Sequence, residues 1–287
     1  MKNLNSISIA IIVTILVSAC QTTTDRNRSI PTTFLEWCER KNEFSADVRQ
    51  TIESVIIDVR NGNWSGISSD CKIVSDRLAS QKKLRIDGRE IFDLRPLASL
   101  TNLTSLSLRF NDELADLQPL AKLTNLEELY LDDNKIVDVR PLANLTKLKT
   151  LSLTKGVYSK EVIDIRPLAN LVNLRNLNLY NNQMTSLQDL SNLVNLQTLG
   201  VSASKVSDLT PLAKLRNLQV LILPGNKIRD ITPLAKLTKL KKIDLLNNQV
   251  TDIQSLSTLK SLTYLRLGGN PLTDGSCPLP KADMCEF

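Results

Sequence analysis

Residues 126–146 read L-E-E-L-Y-L-D-D-N-K-I-V-D-V-R-P-L-A-N-L-T. Nearly the same sentence recurs along residues 81–272. Its opening leucine falls at Leu103, Leu126, Leu148, Leu174, Leu196, Leu218, Leu240 and Leu262, at spacings of 23, 22, 26, 22, 22, 22 and 22. Within the quoted copy, Leu126, Leu129 and Leu131 point inward, and the alternation at Leu129-Tyr130-Leu131 predicts a short strand. Ile136 and Val139 return to the interior. Pro141 fits the start of a short helical turn, where its missing N–H costs nothing, and Leu142 and Leu145 close the coil. The Pro-Leu-Ala step also appears at Pro96, Pro119, Pro167, Pro211 and Pro233. A unit this short cannot bury its apolar side alone. It must stack on its neighbours, and the stack offers a long curved surface rather than a pocket. Recognition is therefore expected ahead of catalysis.

A period near 22 with this leucine grid is the leucine-rich repeat pattern, and the copies resemble the 22-residue repeats of bacterial internalin-like proteins. The resemblance covers about two thirds of the chain. It implies an α/β solenoid: a right-handed curved stack of about nine coils with a concave parallel β-sheet and a helical N-terminal cap. It also implies an asparagine ladder, in which a buried amide satisfies backbone groups that the turn leaves unpaired. The ladder positions are Asn111, Asn134, Asn182, Asn226, Asn248 and Asn270, with lapses at Gly156 and Ser204. It names no ligand, because one fold serves many partners.

The 287 residues contain no histidine. Ser-His-Asp and Cys-His sites, HExxH sites and His-ligated zinc are thereby excluded. No carboxylate or lysine cluster suggests a cleft, so no enzyme, cofactor or metal is expected. The net charge is +6, and no run of five basic residues occurs. Residues 1–20 carry only Lys2, so their removal leaves +5. Neither a clustered basic stripe nor stacking aromatics are evident, so nucleic acid is not an expected partner. A solvated surface of mixed charge is expected instead.

Residues 1–20 read as an export signal: Lys2, an apolar stretch from Ile7 to Val17 too short to span a bilayer, then Val17-Ser18-Ala19-Cys20. Those last four residues resemble a bacterial lipobox. The resemblance implies that Cys20 becomes an acylated N-terminus, and that two or more chains anchor it stably in a membrane. Gln21, where an aspartate would favour inner-membrane retention, implies the outer membrane of a Gram-negative cell envelope. The alternative is an ordinary signal cut near Ala19. Residues 21–31 are polar and aperiodic and read as a tether.

Residues 32–80 should form the N-terminal cap, with helices near Thr33–Arg40, from Ser45 through Val59, and near Asp70–Ser80. Residues 273–287 should form the C-terminal cap. Four further cysteines remain, Cys38, Cys71, Cys277 and Cys285. Nine coils at about 4.8 Å separate the ends by roughly 40 Å, and a disulfide needs Cα atoms within about 7 Å. Cys38 should therefore pair with Cys71, and Cys277 with Cys285. A zinc site would have to gather thiols from both ends.

The informative positions lie beside the inward leucines of each strand. Val220, Ile222, Pro224 and Leu246 make an apolar group there, with Tyr264 and Arg266 beside it. Tyr130 and Tyr180 stand elsewhere on the same face. Such clusters often mark interfaces, although Val, Ile and Tyr also suit strands for their own sake. The candidate partner-binding residues are Tyr130, Tyr180, Val220, Ile222, Leu246, Tyr264 and Arg266, with Ile222, Leu246 and Tyr264 expected to be exposed and apolar. The fourth copy carries four extra residues within Lys155–Glu161, expected as a projecting loop. The expected function is an exported, lipid-anchored, monomeric protein that binds a macromolecular partner, a protein, through its concave face. An adhesion or host-recognition factor and an envelope spacer without a ligand are the alternatives.

Overall fold

The computed structural model describes residues 29–61, 70–156, 163–274, 276–279 and 284–287. Contacts divide the chain into Met1–Thr32 and the body Thr33–Phe287. Cys20 and the tether as far as Arg28 lie outside the described residues, as do 157–161 of the fourth-copy insertion.

The body is a curved solenoid with helices at its N-terminal end. Helix α1 (Phe34–Glu39) starts from a capping box: the Glu36 amide donates to Thr33 Oγ1, and the Thr33 amide donates to the Glu36 carboxylate, both at 3.3 Å. Helix α2 (Ala46–Asn61) buries Val48, Ile52, Val55, Ile56 and Val59, which follow helical spacing. Helix α3 (Cys71–Ser80) is capped by Asp70, whose carboxylate accepts from the Lys72 amide at 2.8 Å. Cys38 and Cys71 are bonded, with Cα atoms 5.6 Å apart, joining α1 to α3. Thr51 Oγ1 and Gln50 Nε2 of α2 donate to the carbonyls of Asp93 and Arg89, each at 2.7 Å, which seats the cap on the first coil.

Nine three-residue strands follow, β1 (Lys83–Arg85), β2 (Ser105–Ser107), β3 (Glu128–Tyr130), β4 (Thr150–Ser152), β5 (Asn176–Asn178), β6 (Thr198–Gly200), β7 (Val220–Ile222), β8 (Lys242–Asp244) and β9 (Tyr264–Arg266). Each pairs in parallel with the next and in register, so equivalent repeat positions are lateral neighbours. The middle residue of every strand is buried in one continuous leucine-rich core. The return path is a 3-10 turn rather than an α-helix, as at Arg140–Leu142. Asp138 Oδ1 accepts from the Arg140 amide at 2.9 Å, and the equivalent bond recurs at Asp116, Asp208, Asp230 and Asp252.

The stack of nine coils carries a tenth strand. The C-terminal segment returns as β10 (Cys285–Glu286) and pairs with β9, so the cap completes the sheet instead of only covering its end. The Cys277–Cys285 bond, with Cα atoms 5.9 Å apart, fastens it. A two-residue strand has no periodicity to detect, which is why it escaped the sequence pattern.

At the ladder, Asn226 Oδ1 accepts from the Val206 amide at 3.1 Å, while its Nδ2 donates to the carbonyls of Val201 and Leu223 at 2.8 and 3.0 Å. Asn248 and Asn270 repeat this arrangement, and Asn111 and Asn134 bond in the same way at the other end. Ser204 takes over with its hydroxyl, accepting from Met184 N and donating to Ser202 O. Asn182 donates to Leu153 O at 2.8 Å, and among the described residues its buried Oδ1 has no partner. A second ladder, absent from the sequence reading, runs along the opposite edge. There Asn125, Asn173, Asn195 and Asn217 each donate to a carbonyl of the preceding coil at 2.8–3.0 Å.

Lys155 departs from the expected loop. It is only 3% exposed, and its amide donates to Tyr180 O at 3.0 Å, so it belongs to the coil.

Candidate recognition surface

The residues flanking each buried strand centre form the concave face, and its chemistry changes along the stack. At the N-terminal end the face is charged and cross-braced. Asp87 accepts from Ser107 Oγ at 2.6 Å, from Arg109 N at 2.9 Å and from Arg85 Nε at 2.7 Å. Asp132 does the same one coil on, accepting from Ser152 Oγ, from Thr154 N at 3.0 Å and from Arg109 Nε at 2.8 Å. The Arg109 guanidinium lies 4.3 Å from the Tyr130 ring centroid. Burial, and then the charge of Glu128, pushes the Tyr130 hydroxyl above its ordinary pKa. Tyr130 is thus part of a braced cluster rather than a free anchor.

This end also holds a cavity of about 470 Å³ between α2 and the first three strands, lined by Asp58, Lys83, Arg85, Ser105, Arg109 and Tyr130 among others. Burial raises the Asp58 carboxyl pKa, against hydrogen bonds from the Arg85 backbone and from Gln81 Nε2, the latter at 3.2 Å. Sequence reading missed this cavity. Asp58 is a polar residue between the core positions Val55, Ile56 and Val59, and nothing local says it meets β1.

The middle of the face is small and polar, with Thr150, Ser152, Asn176, Asn178 and Thr198. Tyr180 fills a gap there. A Cβ built at Gly200 would stand 2.3 Å from its ring, so only glycine lets the phenol lie over β6. Burial, and then Asp244, raises its pKa.

Toward the C-terminal end, Val220, Ile222, Pro224 and Leu246 are half-buried and stand outside the core. Val220 and Ile222 share β7, where Lys242 and Asp244 are their register partners, and Pro224 stands at the position equivalent to Leu246 one coil on, with the Gly225 amide donating to Leu246 O at 2.8 Å. Leu246 lies against Gly268, where a Cβ would come within 3.0 Å of its Cδ1. Tyr264 departs from the expected exposed apolar role. It is half-buried, its hydroxyl donates to the Glu286 carboxylate at 3.0 Å, and the Lys242 ammonium sits 4.4 Å from its ring centroid. Arg266 links Asp244 and Glu286, each at 3.5 Å. Both side chains are tied to β10, whose position the repeat pattern did not reveal. The structure therefore gathers Val220, Ile222 and Leu246, sets Tyr264 and Arg266 in a polar cluster beside them, and leaves Tyr130 and Tyr180 apart.

Among the described residues, no group of three or more His, Cys, Asp or Glu could hold a metal ion. The stacked coils present an extended concave sheet, the kind of surface that repeat proteins use for recognition.

A family model described as leucine-rich repeats in two copies matches residues 124–170, 172–214, 216–258 and 240–279. Among solved structures, internalin C2 from Listeria monocytogenes is 33% identical, with a TM-score of 0.65, covering 77% of this chain and 92% of its own. A second Listeria monocytogenes internalin, InlF, is 31% identical with a TM-score of 0.65, covering 85% of this chain and 74% of its own. A leucine-rich repeat protein of Leptospira interrogans, 23% identical over 73% of this chain and 59% of its own with a TM-score of 0.57, shares the fold. No curated protein matches the chain. The recurring coil, the parallel concave sheet and these matches place the chain in the leucine-rich repeat family, structurally similar to the bacterial internalins.

Proposed function

We propose that this is an exported, lipid-anchored protein of the bacterial cell envelope that binds a protein partner through its concave face. The observation that carries the partner-binding reading is the group Val220, Ile222, Pro224 and Leu246. These are half-buried apolar side chains on the outer side of a sheet whose inner side already has its full core. A partner that desolvates them gains apolar burial at no cost to the fold. The resemblance to the internalins supports an envelope-associated recognition role.

The anchoring reading rests on Val17-Ser18-Ala19-Cys20 and, through Gln21, extends to the outer membrane. Cys20→Ser should leave an unprocessed precursor that incorporates no labelled fatty acid. Normal processing and acylation of that variant would refute the lipobox. For the concave face, Ile222→Glu with Leu246→Glu should preserve circular dichroism and melting while abolishing capture of the partner obtained by crosslinking wild-type cells. Lys227→Glu on the exposed rim should retain capture. Equal capture by a folded double variant would move binding away from these residues.

A further inference from the structure

The fold sorts charges that the linear sequence leaves interleaved. Consider the stretch in each coil that runs from the end of the 3-10 turn to the residue before the next strand, residues 98–104, 121–127, 143–149, 169–175, 191–197, 213–219, 235–241 and 257–263. These eight stretches form one flank of the stack, and their only acidic residue is Glu127. Over the last three coils the flank exposes Lys214, Arg216, Lys236, Lys239, Lys241 and Lys260. Lys147, Lys149 and Arg175 continue it on the fourth and fifth. Most of the aspartates stand on the opposite flank, where Asp138 and Asp164 already hold Arg140 and Arg166.

The cations of the basic flank are largely uncompensated. Lys147 and Lys239 donate to amide oxygens of Asn125 and Asn217, at 2.7 and 2.8 Å, and Lys260 donates to the Ser257 carbonyl at 3.1 Å. Among the described residues of this flank, Lys149 is ion-paired to Glu127 at 2.6 Å, and the charges of Lys147 and Arg175 also act on that carboxylate. A second observation lies on the same flank. Val172 and Val194, 43% and 46% exposed, occupy equivalent positions on the fifth and sixth coils, between the two groups of cations. Successive rungs of the second asparagine ladder hold them: Asn195 donates to Val172 O and Asn217 to Val194 O.

We propose that this flank docks on an anionic lipid surface. Uncompensated cations around a small exposed apolar centre match the chemistry of a headgroup layer, with phosphates for the ammonium groups and the glycerol boundary for the valines. Stacking on nucleobases would need aromatics, and none stands on the flank between residues 143 and 243. The contact does not depend on an acylated Cys20, and it leaves the concave strands open to a partner.

Each cation brought close to such a surface raises partitioning by about fivefold, and salt screens the effect. The test mixes the full chain with vesicles of phosphatidylcholine alone, or of phosphatidylcholine with phosphatidylglycerol, and follows amine acylation at each lysine by mass spectrometry. Lys236, Lys239 and Lys241 should react at least about fivefold more slowly with the anionic vesicles only, and high salt should restore their rate. Lys205 and Lys227, on the other flank, should be unchanged. Val172→Asp with Val194→Asp should reduce the protection without altering circular dichroism. Equal reactivity with both vesicles, equal protection of both flanks, or equal protection by soluble polyglutamate would overturn the proposal, the last by pointing to an acidic protein instead.

Discussion

The two ends of the concave face share one backbone and one register, yet differ in how their side chains are committed. At the N-terminal end, Arg85, Arg109, Asp87, Asp132 and Tyr130 occupy one another through hydrogen bonds and a cation–aromatic contact. Half-buried charges require such partners, because an unpaired one costs several kcal/mol. At the C-terminal end, Val220, Ile222 and Leu246 make no comparable bonds and stay half-exposed. The inward leucines are interchangeable between coils, so recognition chemistry is left to the outward columns. Order along the stack decides which part of the face is already satisfied and which is available.

The largest expected effect compares the caps. Removing Cys38–Cys71, which spans 33 residues, should cost about 3–4 kcal/mol in urea unfolding. Removing Cys277–Cys285, which spans 8, should cost about 2–2.5 kcal/mol. A reversed order would show that β10 pairing, rather than loop closure, governs the C-terminal end. Next comes binding. Ile222→Glu and Leu246→Glu should each weaken a captured partner by about 2 kcal/mol or more. Thr150→Glu, in the polar middle of the face, should cost less. Equal losses would remove the distinction between the apolar end and the rest.

The ladder offers a smaller contrast. Asn226→Ala strands backbone groups on both sides of the amide and should cost about 1–3 kcal/mol. Ser204→Ala should cost less, because its hydroxyl makes fewer bonds than the Asn226 amide. Matching denaturation midpoints would contradict the bonding pattern described above. The smallest effect is spectroscopic. The Glu286 hydrogen bond raises the Tyr264 pKa above the ordinary value of about 10. A raised pKa means that the contact stabilises the folded protein fully below the unfolded value, and that this stability is lost as pH rises through the folded value. Phenolate absorbance should show the Tyr264 midpoint falling toward 10 in Glu286→Gln, with Tyr130 and Tyr180, raised by burial, unmoved.

Much of the fold was legible because its causes are local and periodic. A leucine every few residues, a proline that starts a 3-10 turn and an asparagine after most strands are decided within one coil, so one copy such as residues 126–146 suffices to read the rest. The helices of the N-terminal cap were legible for the same reason, through Thr33, Asp70 and the spacing from Val48 to Val59. The site was less legible. Tyr264 reads as an apolar strand residue until β10 brings Glu286 to its hydroxyl, and Tyr180 covers Gly200 from the neighbouring coil.

The sequence by itself determined the repeating coil, the side of each strand that faces the core, and the absence of imidazole chemistry. Only the tertiary structure decided the tenth strand, the cavity between α2 and the first strands, the commitment of Tyr264 and Arg266, and the separation of charge onto opposite flanks. The physical reason is distance along the chain. Core position depends on neighbours a few residues away, whereas the concave environments join residues more than 20 positions apart, as with Arg109 and Asp132 or Tyr264 and Glu286, and stacking register alone makes those neighbours.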